Sequence, residues 1–245
     1  MSDERESREA DMLRPAGAEP EAWRAFWRAR SQPWRTEPEV SSERGRELVR
    51  QRNTPPDILQ GVYPFGGARL SRADVEWLLA AHDDGRGPVL WSDPAQRDHD
   101  GLDLRGADLH DADLSGLPLA RLRGGLPEDA WRNASAEQLA AARLHLERAN
   151  LTGAHLEGAI LEVAHLEEAK LSGAHLADAN LSFALLEGTY LPEAHLEGVS
   201  LIGASLLGAT LNEAHLEGAV LRHAALAGAE LFAAHLEGAK LRDAT

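Results

Sequence analysis

Between Leu144 and Thr245 a leucine holds every fifth position from Leu146 to Leu241, and the residue two before it is alanine except at Leu144, Thr189 and Val199. A period of five does not suit an α-helix, where residues i and i+5 lie about 140° apart and would spiral round the cylinder without forming one buried stripe. Within each unit a small inward residue, an outward polar one and an inward leucine alternate, the period of two that belongs to strands. The two residues after each leucine, often ending in glycine, then turn a corner. A fixed short period of this kind predicts a repeat architecture with leucine and alanine as its core.

The tandem A-x-L-x-x unit, plain in A-H-L-E-G-A at Ala154–Ala159, Ala214–Ala219 and Ala234–Ala239, resembles the pentapeptide-repeat proteins. The resemblance covers Leu144 to Thr245 and, in a looser form, Leu102 to Leu119. It implies a mainly β fold, a right-handed quadrilateral parallel β-helix (solenoid) with one pentapeptide per side and four per coil. Residues twenty apart then stack in columns about 4.8 Å apart along the axis. That register puts His155, His175, His195, His215 and His235 in one outward column, with Glu157, Glu197, Glu217 and Glu237 beside it and Ala177 interrupting. The opposite side begins with His145 and His165 and changes to Leu185, Ser205 and Ala225, with Glu147, Glu167 and Glu187 alongside.

Ahead of the repeats the pattern changes to helical spacing. Residues 1–19 are charged and poor in large apolar groups, and a flexible tail is expected there. Residues 20–100 are expected to form a small, mainly helical cap domain. Its first helix opens at Pro20 with an aromatic stripe of Trp23, Phe26 and Trp27. A second is capped by Thr36 with Glu39, or from Ser42, and runs to about Arg52; Glu43 and Glu47 among its arginines suggest a solvated, salt-bridged face. Ser71 with Asp74 caps a third to His82, although Ala68 to Trp77 also reads as two loose pentapeptides. Pro88 to Ser92 reads as a strand leading into the solenoid, which needs a cap because a bare coil end exposes core and unpaired edge. Residues 101–245 divide into a first coil at 101–119, a helical insertion at 120–143 and five coils at 144–245. In the insertion, Ser135 and Gln138 cap a short helix, and Trp131 is its candidate contact, either a latch or a partner anchor.

Composition then narrows the chemistry. A formal charge of -15 argues against a nucleic-acid-binding surface, which would want a basic stripe. The absence of cysteine removes thiolate and disulfide chemistry, and with no signal peptide and no long apolar run a cytoplasmic protein with no membrane association is expected. No cofactor or metal is expected, since a flat histidine column offers two neighbours at most and no converging third ligand. Catalysis by pairs such as His155 with Glu157 would lack a nucleophile and an orienting partner, so no enzyme is expected either.

The histidine and glutamate columns are therefore the candidate interaction face of a non-enzymatic scaffold. Residues 103–245 hold 21 acidic and 10 basic side chains, and some proteins of the resembled family mimic B-DNA and bind type II topoisomerases. The resemblance thus adds DNA gyrase as an alternative partner. Because the sequence stops inside a coil, Leu231, Leu236 and Leu241 are the candidate interface of a homodimer.

Overall fold

The computed structural model describes residues 14, 15, 17 and 19–245. The expected tail, apart from the few of its residues included there, lies outside the described residues. Each five-residue side carries one parallel bridge at its outward residue, and the bridges fall into four columns. One runs 103, 123, 160, 180, 200, 220 and 240; the next 69, 108, 145, 165, 185, 205 and 225; the third 113, 150, 170, 190, 210 and 230; the fourth 118, 155, 175, 195, 215 and 235. The wall is therefore a four-sided coil with parallel rungs.

Each corner is a turn in which the leucine carbonyl accepts from the amide three residues on, as Leu146 does from Ala149 at 3.0 Å. The third turn residue has a positive φ, at Gly153, Gly158 and Gly173 but also at Arg148, Val163 and Phe183, which is where type II turns require it. The leucines and alanines pack inside: Leu151, Leu171, Ala169 and Ala174 are fully buried. Between Leu171 and Leu211 the stack leaves a cavity of only about 10 Å³, no more than the least that one water needs.

The insertion begins later than the sequence suggested. Asp103 bridges Arg123, so the wall continues past Leu119 through one more side before it leaves. On that side Leu122 fills the alanine slot and Gly124 the leucine slot. The exchange nearly conserves volume, and a Cβ on Gly124 would come within 2.6 Å of Leu144. The next turn of the column is 37 residues on, as for Asp111 and Arg148, instead of the usual 20. The excursion carries α4 (Glu128–Trp131) and α5 (Ala136–Ala142), the latter with the expected Ser135–Gln138 capping box.

Among the described residues, α1 (Pro20–Arg28), α2 (Ser42–Arg52) and α3 (Arg72–Ala80) precede the wall, followed by single turns at His82–Gly85 and Pro94–Gln96. Ser41 caps α2, in place of the expected Thr36 or Ser42. Thr36 is engaged elsewhere: its amide and hydroxyl donate to the buried Glu76 carboxylate at 2.9 and 3.1 Å. Both readings of the Ala68 segment hold in part, for Arg69 bridges Asp108 as a first rung and α3 starts three residues later. Val75, Leu78 and Leu79 of α3, with Leu48 and Phe65, join one continuous core with the wall leucines, so α3 covers the first coil. Pro88–Ser92 is not a strand. Val89 is buried instead and Leu90 exposed, while Trp91 lies against Gly158, where a Cβ would meet the indole at 2.8 Å. Among the described residues, no helix is long and apolar enough to cross a membrane.

Candidate functional site

The twenty-residue register brings the five column histidines together as expected. Successive rings from His155 to His235 stack with centroids 4.5, 4.7, 5.0 and 4.8 Å apart and planes within 6° of parallel. The turn after each leucine swings the following glutamate back alongside: Nδ1 to Oε1 is 3.0 Å for His155–Glu157, 3.2 Å for His195–Glu197 and 3.5 Å for His215–Glu217. Glu237 is exposed in the last coil. Glu157 is buried, at 7% exposure, in a cavity of about 410 Å³ that Trp34, Trp91, Pro118 and His155 help to line.

Protonation differs from rung to rung. The hydrogen bond to Glu157 raises the His155 pKa against the effect of burial. Burial first, and then the neighbouring His155 and His195, push His175 below the ordinary imidazole value, against the partial opposition of Glu157 and Glu197 on the adjoining coils. At Glu217 its own backbone amide leads in holding the carboxyl below its usual value, with His215 and His235 adding to it.

The opposite face is shorter and differently built. His145 and His165 are 5.1 Å apart with planes tilted by 56°. One oxygen of Glu147 sits between them, 2.9 Å from His145 Nδ1 and 3.2 Å from His165 Nδ1. The expectation that a histidine column lacks a converging third group fails here, because the corner returns the glutamate two residues on to the gap between rungs. Burial opposes ionisation of Glu147, but the hydrogen bond from His145, its own amide and the charges of both histidines outweigh it and lower its pKa. In front lies a cavity of about 470 Å³ bordered by Asp108, His110, Arg143 and Arg148. Arg148 is held by a two-pronged bond to Asp111 at 2.7 and 2.8 Å.

Trp131 stacks on Phe183 at 4.7 Å and 14°, so the insertion touches the wall at this pair. Phe183 stands at a corner with a positive φ, a slot shared between glycine and other residues, and an aromatic there was the available sequence signal. Leu231 and Leu236 are half-buried in the last coil and Leu241 is 42% exposed.

Residues 145–182, 179–218 and 211–245 match the family model described as pentapeptide repeats, in eight copies. No match is found among curated proteins. Among solved structures, the pentapeptide repeat protein Rfr23 from the cyanobacterium Cyanothece 51142 is 27% identical, with 58% of this chain and 90% of that one covered and a TM-score of 0.22. HetL, a pentapeptide repeat protein of Nostoc sp. strain PCC 7120 involved in heterocyst differentiation regulation, is 25% identical over 60% of this chain and 90% of that one, with a TM-score of 0.20. QnrB1, a plasmid-mediated fluoroquinolone resistance protein, is 22% identical over 55% and 77%, with a TM-score of 0.32. Superpositions of this quality carry no functional weight for the present chain. The five-residue sides and twenty-residue register of residues 145–245 are what the family model matches, so this part of the chain is a run of pentapeptide repeats.

Proposed function

We propose that the chain is a non-enzymatic scaffold, a right-handed four-sided coil whose acidic outer faces bind another protein. The observation that carries this reading is the ladder from His155 to His235, five parallel rings spaced 4.5 to 5.0 Å apart with glutamates beside four of them. A regular rigid surface costs little ordering entropy on association, and fixed charges in register select a complementary partner. The test is capture from source lysate by the intact chain and by a variant with His175, His195 and His215 replaced by asparagine. A partner of the interaction face is retained by the first and lost by the second, with unchanged circular dichroism. Equal capture by both, or none by either, defeats the reading.

A second reading follows from charge. Residues 103–245 carry 21 acidic against 10 basic side chains, and an acidic rod complements a basic DNA-binding saddle. In this alternative the partner is a type II topoisomerase such as gyrase. A supercoiling assay across a titration of the protein separates the two: inhibition, or protection from a quinolone, favours the topoisomerase partner, and no effect removes it.

A further inference from the structure

We propose that His145, Glu147 and His165 form a binding site for one divalent transition-metal cation of the zinc class. Imidazole nitrogen with carboxylate oxygen is a donor set that such cations take, with bonds of about 2.0 to 2.2 Å. Tetrahedral geometry then sets neighbouring donors about 3.3 Å apart. Glu147 Oε1 lies 2.9 Å from His145 Nδ1 and 3.2 Å from His165 Nδ1, and the three donors all fall within 4.8 Å of one another. Three donors on one side of a point leave room for a cation.

Ring orientation distinguishes this triplet from those on the other face. His155 and His175 are 3° from parallel, and His215 and His235 are 6° from parallel, so their nitrogen lone pairs run side by side. His145 and His165 are tilted by 56°, which lets two lone pairs aim at a common point. A further feature favours a cation: Glu167 Oε1 lies 3.4 Å from His165 Nδ1 as an available fourth ligand. The cavity of about 470 Å³ in front of His145 and Glu147 gives the cation a path in. Bound there, it would tie together the first two rungs after the insertion.

The test is calorimetric titration of the full chain with zinc chloride, repeated on His165→Leu and His175→Leu. Leucine already stands at the next position of the same column, Leu185, so the His165 change suits the wall. The expected result is saturable binding of one cation, weakened at least tenfold by His165→Leu and unchanged by His175→Leu. Glu147→Gln, which keeps shape and both histidines, is expected to weaken binding as well and guards against a folding defect in the first variant. Cobalt(II) substitution should give the visible absorption of a four-coordinate site. Absence of saturable binding overturns the proposal. So does binding that survives both His165→Leu and Glu147→Gln, or that His175→Leu abolishes.

Discussion

Every corner of the wall asks one residue for a positive φ, and the chain supplies glycine only part of the time. Val163 sits there at φ 55°, and a left-handed backbone costs a residue with a Cβ about 1–2 kcal/mol, with β-branching adding to it. Val163→Gly is expected to raise stability by about 1 kcal/mol, read from urea unfolding. The reverse change at Gly173, φ 59° with open space around its Cβ position, should lower it by a similar amount.

Proton linkage is also a residue-scale property. The folded pKa of His175 lies below its ordinary 6.5, so the unfolded chain binds that proton more readily. The resulting stability is present above the unfolded value and lost as pH falls. His155 has the opposite sign: its raised pKa contributes fully below the unfolded value and fades as pH rises through the folded one. His175→Asn is therefore expected to flatten the fall in melting temperature between about pH 7 and pH 5 relative to the parent protein. An unchanged slope would show that the ladder carries no such strain.

At the scale of elements, the insertion is held by the stacked pair Trp131 and Phe183 and by Trp131, Leu139 and Ala141 packed around Tyr63, Leu126 and Ala142. Such a pair adds about 0.5–1.5 kcal/mol beyond its buried area. Trp131→Ala should make the excursion the first site of limited proteolysis while circular dichroism of the wall stays unchanged. What could be read from sequence, and what could not, divides at this level. The leucine period gave the columns residue by residue, because one repeated slot leaves one register. The side at Arg123 was hidden because Leu122 and Gly124 exchange large and small, which takes leucine out of its repeating slot. The role of Glu76, which also accepts from Arg72 Nε at 2.8 Å and from the Glu37 amide at 3.0 Å, was invisible since its partners lie up to 40 residues away. The Glu147 contact with two rungs needed the corner geometry, which the letters of the repeat do not carry.

For the whole molecule, each coil touches only the coils before and after it, so stability accumulates from neighbour to neighbour. Leu201→Ala removes a side chain that is 1% exposed and is expected to cost about 2–5 kcal/mol. Its effect on amide hydrogen exchange should centre on residues 181–221 and leave the cap and α3 protected. Uniform acceleration over the chain would mean that cap and wall unfold as one unit.

The 37-residue step at the insertion, set in a wall that otherwise advances by 20, shows which length changes the architecture can absorb. Residues added where the chain has left the wall move no column, because the backbone re-enters on the side that follows the one it left. Five residues removed from within the wall would carry every later histidine onto an adjacent side, and one residue removed would turn leucines outward. Deletions of a full circuit alone would shorten the rod without redrawing its surface, so its length can be edited only in coil-sized steps.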